Sequence, residues 1–342
     1  MHTFPFAAIV GQNDMKRALT AVAIDPAIGG VLIFGDRGTG KSTAVRALAA
    51  SLPTMTVYEG CRYNGDPANP AELEGCPDSQ RTTRKTKVTV PVVDLPLGVT
   101  EDRVVGALDL ERALATGEKV FEPGLLAKAH RGFLYIDEVN LLEDHIVDIL
   151  LDVAASGVNV VEREGLSVRH PSRFVIVGSG NPEEGELRPQ LLDRFGLAVD
   201  VKTPGDVPTR VEIIKRRDAF ERDRQAFVDH YAKEGEKLRR KIVAARKRLP
   251  DVAVDDAILA LVAEIGMALG TDGARGELTM MRTARAFAAY AGQDAVRPDD
   301  VRDAAPFALA HRLRRDPLDE TGSAVRVERA LEEVFGPVAN VA

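Results

Sequence analysis

The first two-thirds of the chain alternates short apolar runs with amphipathic stretches, which predicts a parallel sheet joined by crossover helices. Val31-Leu32-Ile33-Phe34 reads as a buried strand, followed by a glycine-rich turn and a helix over 41–51. Residues 54–57 read as the next strand, 132–137 as a third, 173–177 as a fourth and 197–201 as a shorter fifth.

Two segments break that rhythm. Residues from about 58 to 106 are rich in Pro, Gly, Asn and charge and then give an extended VTVPVVDLPLG. An unstructured loop of that length is uncommon in a compact domain, so the segment is expected to be an insertion with hairpin content. The second is VNVVEREGLSVRH, two alternating runs around Glu164-Gly165, which predicts a β-hairpin over 158–170 just ahead of the fourth strand. After about Thr203 the character changes. Residues 207–249 are dominated by Arg, Lys, Glu and Ala and read as long exposed helices, with KLRRKIVAARKR a solvated face. Apolar helical periodicity resumes over 255–269, 278–291 and 301–313, and Pro298 suits the first turn of the last of these. The expected organisation is an α/β core over 1–203, a charged helical linker over 204–250 and an all-helical domain over 251–342.

Composition narrows the classes. The 342 residues are 45% hydrophobic and 28% charged, enough for more than one core. A formal net charge of −7 removes the electrostatic footprint of a general nucleic-acid or anionic-membrane binder. No apolar run approaches the roughly 20 residues that span a bilayer. MHTFPFAAIVGQ also lacks the basic start and apolar core of a signal peptide. A cytoplasmic location is therefore expected, with neither nucleic acid nor an integral membrane contact among the partners. The two cysteines, Cys61 and Cys76, form no disulfide framework and, with no His nearby, a poor zinc site. Reduced thiols are the expectation.

The candidate chemistry starts at Gly35-Asp36-Arg37-Gly38-Thr39-Gly40-Lys41-Ser42, which matches G-x-x-x-x-G-K-[ST] in full and sits between a predicted strand and a predicted helix. Glycines let the backbone curl so that successive N–H groups, through Thr43, point at phosphates at the positive end of the helix dipole. Lys41 then neutralises the β- and γ-phosphates of ATP, and the Ser42 hydroxyl ligates Mg²⁺. Phe133-Leu134-Tyr135-Ile136-Asp137-Glu138 supplies an apolar strand ending in two carboxylates. Asp137 is placed to hold the Mg²⁺ shell, and Glu138 to take a proton from the attacking water. Alone, that second pattern is weak; paired with the phosphate loop it is strong.

These residues lie within a wider pattern. Ile9-Val10-Gly11-Gln12 precedes GDRGTGKST; then come VVDLPLGVTEDRVVGALDLERAL, FEPGLLAKAHRGFLYIDEVNLLEDHIVDILLDV, VGSGNPEEGELRPQLLDRFGL and HRLRRDPLDETGS. Together, over about 4–335, they resemble the family of small AAA+ motor subunits of magnesium chelatase. The phosphate-loop and Asp-Glu motifs mark only the superfamily, whereas VVDLPLG, LYIDEVNLLEDH and HRLRRDPLDE are far more specific. The chain departs from the family pattern chiefly over 61–87.

The resemblance implies an α/β P-loop AAA+ core with β-hairpin insertions and a C-terminal helical lid, using ATP and Mg²⁺. It implies that Asn181 is the sensor-1 residue near the γ-phosphate; an Asn-Pro turn former is the lesser alternative that the residues alone leave open. It implies that Arg194 is an arginine finger reaching a neighbouring subunit's ATP, which requires a ring. The residues alone allow an intrachain ion pair with Asp193 or another carboxylate. Arg275 looks like the sensor-2 arginine and is preferred to Arg282. Ile9 and Val10 would pack on the adenine, with an ordinary core role as the alternative. The 158–170 hairpin corresponds to the pre-sensor-1 insertion and 58–106 to the helix-2 insertion, projections where a motor meets its partners. The implied assembly is a hexameric ring of this chain with a second AAA+-related subunit and a large porphyrin-binding subunit, inserting Mg²⁺ into protoporphyrin IX. With no Trp, no His/Cys cluster and 5% aromatic residues, the chain offers no porphyrin site of its own. Three rivals stay open at this level. A cobalt-chelatase motor shares every ATPase residue. A replicative-helicase relative predicts a basic hairpin, but VNVVEREGLSVRH has two acidic residues and two Arg. A remodelling chaperone for a metalloenzyme is the third.

Overall fold

The apolar runs become strands in the computed structural model, which describes residues 2–36, 38–74, 83–163, 165–181, 189–271, 273–313 and 322–336. The strands are β1 (Val31–Gly35), β2 (Met55–Tyr58), β3 (Lys85–Val88), β4 (Val92–Leu95), β5 (Gly106–Leu108) and β6 (Phe121–Pro123). They continue with β7 (Phe133–Ile136), β8 (Val158–Arg163), β9 (Leu166–Pro171), β10 (Val175–Gly180) and β11 (Leu197–Val201). The helices begin with α1 (Asn13–Ile24), α2 (Lys41–Ser51), α3 (Glu101–Val105), α4 (Leu110–Thr116), α5 (Leu125–Ala129), α6 (Asp144–Ser156) and α7 (Pro189–Arg194). After them come α8 (Val207–Arg222), α9 (Arg224–His230), α10 (Ala232–Arg248), α11 (Asp256–Leu269), α12 (Arg275–Ala291), α13 (Pro298–Leu309) and α14 (Ser323–Phe335). The chain divides into two compact units. One comprises Met1–Ile9, Gly40–Gly185 and Ile214–Tyr231; the other comprises Val10–Thr39, Glu186–Ile213 and Ala232–Ala342.

In the first unit, β10, β7 and β4 run parallel in that order. Every residue of β7 and β10 is buried, as expected for strands covered on both faces. Helix α2 packs on β7 and β4 with Ala44, Val45, Ala47 and Leu48 buried, and Arg46 reaches both carboxylate oxygens of Asp94 on β4 at 2.6 Å. This corrects the reading of 58–106 as an insertion throughout: β4, from VVDLPLG, is a strand of the parallel sheet beside β7. The sequence hid it because Pro91 and Pro96 bracket four residues, a length that reads as loop. The 54–57 strand is real but pairs antiparallel with β3, outside the parallel set.

The predicted hairpin forms. β8 and β9 pair antiparallel from Val158↔Pro171 to Arg163↔Leu166. A buried polar relay ties it down. His170 Nδ1 lies 3.0 Å from the Pro171 carbonyl, which makes that nitrogen the protonated one. Nε2 therefore accepts from Asn159 Nδ2 at 2.9 Å, and the same amide donates to Val105 O at 2.8 Å. Nearer the start of β7, the Nδ1 of buried His130 accepts from Arg173 N at 3.0 Å. Burial, then the Arg131 and Arg173 charges, pushes its pKa down to about 3. His130 is thus neutral, and its 3.4 Å approach to Glu72 is no ion pair; the charge partner of Glu72 is Arg173.

In the second unit, β1 and β11 pair in parallel from Val31↔Leu197 to Gly35↔Val201. Helix α1 is buried over Ala18–Ile24 and lies against β11. The charged run in α10 is only partly solvated. Ile242 and Ala245 are buried, and Arg246 Nε donates to Ala23 O at 2.8 Å, so α10 carries a packed stripe within its basic sequence. Helices α11, α12 and α13 match the three predicted apolar periods, with Asp255 capping α11 through Ile258 N at 2.8 Å and Pro298 opening α13, whereas α14 is not among the predicted helices. Helix α12 starts at Arg275, three residues before its apolar period shows, because Gly276 and Glu277 carry no hydrophobic signal. Among the described residues no helix is long and apolar enough to cross a membrane.

Candidate functional site

The phosphate-loop residues bridge the two units in sequence: Gly35, Asp36, Gly38 and Thr39 belong to one, Gly40, Lys41, Ser42 and Thr43 to the other. Arg37 lies outside the described residues. Gly35 closes β1 at φ +136°, and a Cβ there would overlap the Val201 carbonyl, so only glycine fits. Thr203 Oγ1 donates to Asp36 Oδ2 at 3.0 Å, Thr39 Oγ1 donates to Asp36 O at 2.9 Å, and Gln12 Nε2 donates to Thr39 O at 2.7 Å. The loop is therefore braced by Thr203 and Gln12 from outside and by Thr39 within, while Gly38 and Gly40 stay uncovered. Gly40 is the N-cap of α2 in the left-handed region, φ +82°, and no side chain caps this terminus. Its first turn, Lys41-Ser42-Thr43, contains no acidic residue to compete for the N–H groups. An uncapped, half-exposed terminus with a lysine and a hydroxyl in its first turn fits a polyphosphate with its metal ion.

In the same unit as α2, Asp137 and Glu138 follow β7. Asp137 is exposed at the strand end, and its Oδ1 accepts two hydrogen bonds, from Tyr135 OH at 3.1 Å and Ser179 Oγ at 2.5 Å. The Ser179 hydroxyl in turn accepts from Glu138 N at 3.2 Å. Tyr135 and Asp137 share a strand face, being two residues apart. Ser179 arrives through the β10–β7 register, in which Gly178 faces Ile136. Burial, with the Asp137 charge adding to it, pushes the Tyr135 phenol up to about 12, so it acts as a donor and not as an acid at neutral pH. Glu138 adopts φ +53°, ψ +56°. A non-glycine residue there is uncommon and costs of order 1–3 kcal/mol. That backbone turns the chain sharply after β7. Asn181, half-buried, follows the end of β10 and so lies on the strand next to β7.

In the second unit, exposed Arg194 ends α7. Its neighbour Asp193 is shared: Arg275 holds Oδ2, and Arg312 Nη1 holds Oδ1 at 3.0 Å. Arg282, seven residues along α12 from Arg275 and thus on the same face, donates to Ala27 O at 2.7 Å, just ahead of β1. Ile9 and Val10 are both half-buried, after the turn Phe6–Ala8. Four residues here escaped the sequence reading: Gln12, Tyr135, Ser179 and Arg312. Only Tyr135 had a signal, its i, i+2 spacing to Asp137. Cys61 is free and half-buried, and Cys76 lies outside the described residues. No group of three His, Cys, Asp or Glu able to hold a metal ion occurs among the described residues.

An α/β core with a phosphate-loop helix, strand-end carboxylates and a helical C-terminal region is the architecture of a P-loop AAA+ protein. A profile of the AAA lid domain matches residues 259–333. A solved protein of Cytophaga hutchinsonii, described as a candidate ATPase, shares the fold at a TM-score of 0.65 and 16% identity, over 96% of this chain and 91% of that one. A profile of magnesium chelatase subunit ChlI matches residues 109–190. The magnesium-chelatase 38 kDa subunit of Acidiphilium rubrum is 62% identical over 99% of both chains, and that of Cereibacter sphaeroides 63% over 97% of this chain and 98% of that one. Subunit ChlI of Synechocystis is 52% identical over 98% and 95%. The chain therefore belongs to the family of magnesium-chelatase ChlI/BchI subunits. A solved complex of subunits BchI and BchD of magnesium chelatase aligns at a TM-score of 0.55 and 57% identity, over 97% of this chain and all of that one.

Proposed function

We propose that the chain is the ATP-hydrolysing motor subunit of magnesium chelatase, driving insertion of Mg²⁺ into protoporphyrin IX on the way to chlorophyll or bacteriochlorophyll. Membership of the chelatase family carries the choice of target, and the observation that carries the ATPase reading is the Asp137–Glu138 turn. One carboxylate is fixed by Tyr135 and Ser179, and the next follows on a left-handed backbone. That arrangement divides metal holding from proton transfer between neighbours.

In this reading, Lys41 and the backbone N–H groups from Gly35 to Thr43 hold the ATP phosphates, and Ile9 and Val10 line the adenine. Ser42 and Asp137 hold the nucleotide's Mg²⁺. ATP supplies a γ-phosphoryl group whose transfer to water releases the free energy that drives the motor. Glu138 takes a proton from the attacking water, and Asn181 orients that water. Arg275 contacts the phosphates as the sensor-2 arginine, while Arg194 serves the site of the next copy in a ring, a hexamer by family resemblance. The BchI–BchD complex supports a second AAA+-related subunit as partner, and a third, large subunit carries the porphyrin. Substrate Mg²⁺ and porphyrin are handled on that other chain.

Reconstitution tests this directly: the purified chain, the two partner subunits, protoporphyrin IX, Mg²⁺ and ATP, read by porphyrin fluorescence. ATP-dependent appearance of the Mg-porphyrin spectrum, lost with Lys41→Ala, is expected. ATP hydrolysis with no Mg²⁺ insertion would overturn the chelatase assignment.

A further inference from the structure

The Asp193 carboxylate joins two arginines of opposite character. Arg312 is almost fully buried, with 6% of its side chain exposed, and each of its three guanidinium nitrogens donates to a fixed partner. Nη1 donates to Asp193 Oδ1 at 3.0 Å, Nη2 to Phe195 O at 2.8 Å and Nε to Ala308 O at 2.9 Å. Its planar fork thereby ties the end of α13 to the end of α7 and the entry to β11. His311 reinforces the same point, its Nε2 lying 3.1 Å from Phe195 O, and burial holds its pKa down to about 3, so the ring is neutral and adds no charge. Arg275, on the other oxygen of Asp193, has 52% of its side chain exposed. A pair so open to water is weak and easily exchanged, whereas breaking the buried one would strand a charge.

We propose that Arg312 is a positioning residue that keeps Asp193 neutralised, so that Arg275 can leave Asp193 for the phosphates of bound ATP and return when they are gone. The proposal rests on the reading of Arg275 as a nucleotide contact. Arg275 has two acceptors to choose between, Asp193 and the nucleotide. With Arg312 in place, its departure leaves a carboxylate that is still paired. Without Arg312, Asp193 has Arg275 as its cationic partner here, and each ATP bound must strip it away. The cost then appears in ATP affinity, not in the chemistry at Asp137 and Glu138.

The test is the ATP KM and kcat of the assembled full-length chain, with circular dichroism to confirm folding. Arg275→Ala should raise the KM. Arg312→Gln should raise it about tenfold, the size of one charge-assisted hydrogen bond. Adding Asp193→Asn to Arg312→Gln should bring the KM back towards the wild-type value, because the carboxylate that traps Arg275 is gone. A merely structural role predicts the opposite, additive damage in the double variant, and that result would overturn the proposal. Should Arg312→Gln not fold, Arg312→Lys carries the test. A lysine cannot serve Asp193, Phe195 and Ala308 together, so a raised KM relieved by Asp193→Asn is expected again. An unchanged KM in Arg275→Ala overturns the underlying reading and the proposal with it. A raised KM there, with both Arg312 variants at the wild-type value, overturns the proposal alone.

Discussion

The Asp137 and Asp193 carboxylates are both clamped by two donors, yet they are built by different means. Asp137 is held by neighbours in strand register, Tyr135 two residues back and Ser179 one strand across, on backbone that is buried throughout. Asp193 is held by side chains 82 and 119 residues away along the chain. The first clamp uses neutral hydroxyls and leaves a carboxylate with its full charge for a cation. The second uses two cations and so already neutralises the charge it holds. In the proposed function the two designs serve different tasks: the first presents charge to a ligand, and the second parks an arginine between visits to the nucleotide.

Removing the groups assigned to phosphate binding and hydrolysis, which the first clamp serves and Arg194 completes, should have the larger effects. Lys41→Ala should abolish nucleotide binding and turnover, read by fluorescent-ATP titration and phosphate release. Glu138→Gln should bind ATP with near-normal affinity while kcat falls by about 10²–10⁴, the usual worth of a positioned base. Wild-type turnover in that variant would remove Glu138 from the base role. Arg194→Ala should likewise bind ATP and fail to hydrolyse it, with kcat down by about 10³ or more.

Smaller effects sharpen the contrast. Ser179→Ala removes one donor to Asp137 and the acceptor for Glu138 N, so a stability loss of about 1–3 kcal/mol should accompany a drop in kcat and a weaker response to Mg²⁺. Tyr135→Phe removes only the longer bond, and a change of kcat within about threefold, under 1 kcal/mol, is expected. A titration of urea stability reads both units together. His130 and His311 each have a folded pKa of about 3, against 6.5 ordinarily. The unfolded chain therefore binds more protons between those values. Stability is fully present above about pH 6.5 and is lost as pH falls towards 3, at about 1.4 kcal/mol per pH unit and histidine. Flat stability from pH 7.5 to 5.5 would contradict the burial assigned to both rings.

The same contrast explains what was legible in the sequence. The phosphate loop, the Asp137–Glu138 pair and the 158–170 hairpin were readable because each is contiguous and its geometry follows from helix ends, strand ends or period-2 alternation. Helix α2 begins and ends at the residues expected. What was missed depends on register or on distant partners. β4 was read as part of an insertion because two prolines bracket it, and its place is set by pairing with β7. Ser179 became visible only once Gly178 was aligned with Ile136. The α10 run KLRRKIVAARKR looked solvated because its charges outnumber the two apolar positions that pack. Arg312 stood in a motif quoted for family likeness, but nothing local to it says that its fork would close on Asp193, Phe195 and Ala308.

The central claim is that the carboxylate pair of one copy hydrolyses ATP while Arg194 of another completes the site. Mixing Glu138→Gln and Arg194→Ala chains tests it most directly. Each alone should be inactive, and a mixed assembly should regain part of the wild-type ATPase rate, because some sites combine an intact Glu138 with an intact Arg194 from the neighbour. Mixed assemblies that form but stay inactive would contradict the account.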